Sequence, residues 1–272
     1  NEAHDVYTYV DGALPTTGAI PLICVPTTMR DASLFTDRTP IVDSRSSQVK
    51  LLKIQNGLCK LALFDPNLSV TLTENQISSM SIETLCLAIE AYLSQKASFF
   101  SDMLVEKSVQ LLSYAMDGSP TLTVVTPQEI LLSQGGCMAS LAIASSSLGV
   151  ASMLSLCINA RYNISRSLTT AILFPYIIED AAKFRTDRLA KISRILRACP
   201  EEAEDPAAVS ALIEYVRQHL AKANLPTRLK ELSVTMEQLA MVAEDAGHLE
   251  IMNALPRSMT ADDLFDLLKQ AF

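Results

Sequence analysis

The sequence predicts an α/β remnant followed by a large all-α domain. Three observations carry that reading. Short apolar and β-branched runs punctuated by proline fill the first 70 residues. From Thr73 onward, apolar residues recur at spacings of three and four, the period of an amphipathic helix. Ser, Thr and Pro stand where helices should start, and Leu-Pro steps where they should be joined. The expected division is 1–70 for the α/β part and 71–272 for the helical part.

The first expected strand is Ala19 to Pro26, an apolar run bounded by prolines, as in a strand buried on both faces of a parallel sheet. Pro40 to Asp43 and Val49 to Ile54 have the β-branched content of shorter edge strands. Leu61 to Phe64 is a further strand, closed by the turn signal Asp65-Pro66. The first clear helix runs from Ser81, as N-cap, to Leu93, and the second from Phe99 to Tyr114. Thr126-Pro127-Gln128-Glu129 reads as a capping box with proline at the first helical position. The remaining helices are expected at Ile177–Ala198, Pro206–Ala223, Thr235–Ala246 and Thr260–Ala271.

A chain of 272 residues with 49% hydrophobic and 19% charged positions can bury a substantial core. Its net charge of -8 opposes nonspecific nucleic-acid binding, which depends on Lys and Arg neutralising phosphates. The six cysteines are scattered without a C-x-x-C pair, which predicts reduced thiols and a cytoplasmic setting. Residues 1–10 carry Glu2 and Asp5 and no apolar stretch, so no signal peptide is expected, and Asn1 in place of methionine predicts a chain trimmed from something longer. Ile130 to Ala160 has no charge and the length of a membrane span, yet it is rich in Ser and Ala and broken by Gly135-Gly136 and Gly149. Two small-faced helices inside the helical domain are expected there, and no membrane segment.

Several motifs then fall in register. Pro26-Thr27-Thr28 follows a strand, Asp65-Pro66-Asn67-Leu68 comes next, and Leu87 to Ser94 lies in a helix. Ser147-Leu148-Gly149, Ala171 to Pro175, Leu225 to Leu232 and Asn253 to Arg257 complete the series. In order and spacing, over nearly the whole chain, these resemble the iron-containing (group III) alcohol dehydrogenases of the dehydroquinate synthase-like superfamily. The resemblance implies a dinucleotide-binding α/β domain, an all-helical domain, and a cleft between them for substrate and metal.

Against that family the sequence departs at three places. The Gly-rich phosphate loop expected upstream of Pro26 is absent from residues 1–25, which predicts a chain lacking the amino-terminal part. The family's metal ligands, one aspartate and three histidines, fall on Glu83, Leu87, Ser152 and Arg166, and a further histidine beside the reacting carbonyl falls on Leu156. The stretch after Pro-Thr-Thr, where the family places two glycines near the nicotinamide, reads Met29-Arg30-Asp31-Ala32-Ser33-Leu34. What the resemblance leaves of a cofactor site is Thr27, Thr28, Ser33 and Lys50. No catalytic residue and no metal ligand is expected, and no cofactor unless the chain is active, in which case NAD(P).

The other charges are read as structural. Glu83 and Glu90 share a helix face, with Asp102 and Glu106 nearby in sequence, but no acid–base pair can be named among them. His4, His219 and His248 are expected to be solvated. Arg161 and Arg166 are the only charges between Glu129 and Glu179. Arg166 is expected to pair with Glu83 in place of the metal, and either arginine is a candidate anchor for an anionic ligand. Together these readings predict an inactive pseudoenzyme serving as a binding or assembly module, with a protein partner or self-association at an exposed sheet edge near Leu22 to Val25. The alternative is a metal-independent NAD(P)-dependent oxidoreductase acting on an alcohol or aldehyde, its amino-terminal part supplied elsewhere.

Overall fold

Strands occupy little of the chain, and helices enclose the core. The computed structural model describes residues 5–14, 16, 18, 20–53, 59–118 and 126–272. A short helix α1 (Val6–Val10) precedes β1 (Ile23–Cys24), β2 (Arg38–Asp43), β3 (Gln48–Lys53) and β4 (Leu61–Ala62). Among the described residues eight α-helices follow: α2 (Glu74–Leu93), α3 (Phe99–Asp117), α4 (Gln128–Ala144), α5 (Val150–Tyr162), α6 (Arg166–Ile195), α7 (Asp205–Lys222), α8 (Met236–Gly247) and α9 (Ala261–Ala271). The α/β remnant ahead of a large all-α domain is therefore present. No helix among the described residues is long and apolar enough to cross a membrane. Residues 130–160 form two helices broken at 145–149.

The strands differ in detail from their expected form. β1 pairs with β4 in parallel, but only two residues each are involved. Far from being buried on both faces, Leu22, Ile23 and Val25 are about half exposed. β2 and β3, expected as minor edge strands, make the longer sheet, an antiparallel hairpin that pairs Arg38 with Lys53 through Asp43 with Gln48. Its turn places Ser47 at φ 58° and is held by Asp43, which accepts from the Arg45 backbone amide and side chain. Hydrogen bonds from Arg45 pull the Asp43 carboxyl down to about 2. Ile54 and the N-terminal end of the Ala19 run lie outside the described residues, as does His4.

The centre of the helical part is α2. Thr73, not Ser81, caps it, through a reciprocal box with Gln76. Ser81 lies inside the helix, where every residue from Ser81 to Leu93 is buried. This burial on all sides erases the amphipathic period that would have shown the true start. The expected box at Thr126 does not form: α4 begins at Gln128 with Pro127 as N-cap and no side-chain cap bond. α6 starts at Arg166 rather than Ile177 and runs through Pro175, with a non-helical break at Arg185. Its first half, Ala171 to Pro175, is likewise buried and carries no polar face to mark it.

Two glycines are required by close approach. A Cβ on Gly136 would lie 2.2 Å from the Met29 carbonyl oxygen, so α4 can seat the segment after β1 only with glycine there. A Cβ on Gly149 would lie 2.7 Å from the Glu90 carboxyl carbon. Seated against α2 and α4, residues Met29, Ala32 and Leu34 are buried, and the Ser140 hydroxyl donates to the Asp31 carbonyl at 2.6 Å.

His219 is not the solvated residue expected. On α7 it is half-buried, its Nδ1 2.9 Å from the Tyr215 carbonyl and its Nε2 3.0 Å from Asp117, the last residue of α3. Both nitrogens face acceptors, an arrangement that favours the doubly protonated ring. Burial opposes that charge, but the bonds to Asp117 and Tyr215 outweigh it and raise the pKa above 6.5. Asp117 is held low by His219 and by the Tyr215 hydroxyl, against the effect of burial. The histidine's contribution is therefore complete below its unfolded pKa and is lost as pH rises through the raised folded value. Asp117's contribution is lost at the acid end, as pH falls through its lowered value. We expect the urea midpoint of the native chain to drop by about 1 kcal/mol of stability as pH rises past the His219 pKa, and the drop to vanish in His219→Asn. An identical pH profile for the two proteins would refute the clamp.

Candidate functional site: two buried carboxylates on one helix

Seven residues, two helical turns, separate Glu83 from Glu90 on α2, and each side chain reaches the first turn of a different helix. Glu90 is 4% exposed and lies at the start of α5. It accepts from the backbone amides of Gly149 at 3.1 Å, Ala151 at 2.6 Å and Ser152 at 3.2 Å, and from the Ser152 hydroxyl. Gly149 has no side chain with which to cap α5, so Glu90 caps it from across the core. Burial raises the Glu90 pKa, and the bonds from Ser152, Gly149 and Ala151 counter the rise.

Glu83 is 1% exposed and faces the start of α6. Its Oε2 accepts from the Ser167 hydroxyl at 2.5 Å and from Arg30 Nη1 at 3.2 Å. Its Oε1 lies 3.6 Å from Arg166 Nη2. The expected Glu83–Arg166 ion pair is present, joined by a second arginine from the loop after β1. Burial lowers the Arg166 pKa, Glu83 raises it, and Arg30 lowers it again. Arg30 escaped sequence reasoning because only the fold brings the loop beneath α2. Its one signal was a cation where the resemblance placed small residues.

The other expected carboxylates do not pair. Asp102 binds Arg188 at 2.6 Å, and Glu106 binds Lys191 at 2.6 Å and accepts from Tyr92 at 3.2 Å. Arg161 is not free to anchor an anion, because Asp245 takes its Nε and Nη2 in a bidentate pair while also accepting from Gln48 at 2.7 Å. His248 is exposed, as expected.

The four residues proposed for a cofactor are not brought together. Thr27 and Thr28 line a small cleft with Asp65, Ser69 and Ser133. Ser33 lines a larger one, of about 420 Å³, with Thr36, Arg38, Lys96, Leu148 and Leu156. Lys50 lines neither and is exposed on β3.

The donor set does not fit a divalent transition metal. Of the four positions onto which the resemblance places the family's metal ligands, only Glu83 offers an oxygen ligand of the right kind; Leu87 has no donor, Ser152 is spent on Glu90, and Arg166 is a permanent cation. A dication beside Glu83 would meet two guanidinium groups. Among the described residues no group of three or more His, Cys, Asp or Glu is placed to hold an ion.

Comparison with known proteins gives a consistent result. The profile "Fe-containing alcohol dehydrogenase family, C-terminal" matches residues 77–272. Lactaldehyde reductase of Escherichia coli (strain K12) is 22% identical over 264 residues, spanning 97% of this chain and 69% of that protein. Across several curated relatives the chain spans between 56% and 69% of the relative's length. Among solved structures, a 1,3-propanediol oxidoreductase superposes with a TM-score of 0.88 at 18% identity, covering 100% of this chain and 71% of that one. A sulfoacetaldehyde reductase from Bifidobacterium kashiwanohense, in complex with NAD+, gives 0.75 at 16% identity, covering 98% and 68%. At these identities the superpositions attest the fold.

Proposed function

The chain belongs to the Fe-containing alcohol dehydrogenase family, and from that premise we propose that it has lost the family's metal chemistry and serves as a catalytically inactive binding or assembly module. The observation that carries the proposal is the engagement of Glu83, the sole surviving carboxylate at the metal positions, by Arg30, Arg166 and Ser167. Those partners give the carboxylate the positive charge and hydrogen bonds that a cation would otherwise supply. The assembly half rests on Leu22, Ile23, Val25, Leu61 and Leu63, each about half exposed on the β1–β4 pair. A monodisperse monomer by sedimentation would remove that half.

The second reading is a metal-independent oxidoreductase using NAD(P). It is favoured by the 420 Å³ cleft, which joins Ser33 to Leu156, the position aligned with the family's histidine beside the reacting carbonyl. Fluorescence titration with NADH and NADPH, with metal content assayed on the same purified chain, separates the readings. The inactive module predicts no bound metal and no saturable nucleotide binding. Saturable binding without metal would revive the second reading and call for a substrate search, and stoichiometric metal would overturn both.

A further inference from the structure

Glu83 does not balance the charge gathered around it. Arg30 and Arg166 share this one carboxylate, one on each oxygen, and Ser167 takes a further lone pair of Oε2. Between them the two guanidiniums carry about ten N–H donors, and they cannot lose their charge. Each has an Nε buried without an acceptor among the described residues. Asp31, next in the chain, acts on Arg166 through its field, while one of its oxygens accepts from the Ser33 amide at 3.1 Å. The cluster also lies at the first turn of α6, which is unbroken from Arg166 to the break at Arg185 and whose N-cap Ser165 makes no side-chain cap bond, so the positive end of its dipole adds to the potential.

The arginines are not sealed off. Their side chains are 30% and 25% exposed, whereas Glu83 beneath them is 1% exposed. In the chain Arg30 stands between Met29, which lines the smaller cleft, and Ala32, which lines the larger. The carboxylate is thus a buried base plate beneath two partly exposed arginine side chains. Paired guanidiniums match the planar, bidentate geometry of carboxylate and phosphate oxygens.

We infer that Arg30 and Arg166 form an anion-binding site at the start of α6 that takes the carboxylate or phosphate group of a small ligand. The inference rests on the proposed loss of the metal, since a cation beside Glu83 would expel an anion's counter-charge from the same place. Glu83 then has a second role: besides holding the arginines, it weakens the site by cancelling part of their charge.

The test is isothermal titration of the full chain with inorganic phosphate and, separately, acetate at constant ionic strength, with metal content measured on the same sample. One of the two anions should bind saturably, and which one identifies the ligand's acidic group. Arg30→Gln should weaken binding about tenfold or more, the scale of one charge-assisted hydrogen bond. Arg166→Lys keeps the ion pair with Glu83, and therefore the fold, but loses the forked geometry and should also weaken binding. Glu83→Gln should tighten it several-fold. Absence of binding by either anion, or binding that Arg30→Gln and Glu83→Gln both leave unchanged, overturns the inference. Stoichiometric metal in the sample would instead overturn the reading on which it rests.

Discussion

Replacing Glu90 by alanine is expected to cost about 4 kcal/mol, read as a lowered midpoint in guanidinium unfolding. Three backbone amides of the first turn of α5 and the Ser152 hydroxyl would lose their acceptor together, in a place where the surrounding residues are buried. Each buried donor left unpaired costs about 1–3 kcal/mol, and the vacated side chain adds a cavity. Glu90→Gln keeps one acceptor oxygen and should cost roughly half as much. Gly149 has no side chain that could take over the cap from α5 itself. A loss below about 1 kcal/mol for the alanine variant would mean that water enters and caps the helix instead.

Glu83→Ala should cost about 3 kcal/mol by the same measurement, for a different reason. Here the damage is electrostatic: Arg166 and Arg30 would face each other without the carboxylate that both engage. Removing one side of a buried pair strands the other, whereas replacing both with apolar residues of similar volume is often neutral. The double variant Glu83→Met, Arg166→Met should therefore recover much of the loss, although Arg30 keeps part of its exposure. Equal stability of Glu83→Ala and the native chain would show that solvent already satisfies the arginines.

The helical part was legible wherever a helix had one wet face. Phe99, Thr235 and Thr260 mark the true starts of α3, α8 and α9 to within a residue, because each helix alternates buried and exposed positions behind a Ser or Thr cap. α2 and α6 were misplaced at their N-termini because burial removed the pattern that would have reported them. The strands failed in the opposite sense. Ile20 to Val25 reads as a buried strand from composition, yet its neighbours in the fold cover little of it. Of the site, the Glu83–Arg166 pair was legible because the resemblance put both residues at one metal. Arg30 and the capping of α5 by Glu90 depend on contacts across 53 and about 60 residues of chain, which no local pattern encodes.

The two carboxylates also bear on how the chain reaches its native state. α2 cannot settle in the interior alone, since its two charges find partners 53 residues upstream at Arg30 and 59 to 84 residues downstream on α5 and α6. A partly assembled intermediate containing α2, α3 and α4 would have to bury both charges without those helix termini, or leave this buried helix in water. The search for native structure is thus tied to long loop closures that must be completed before the central helix is rewarded. A chain wired in this way is expected to gain its order late and as one unit, with α2 the element least able to fold on its own.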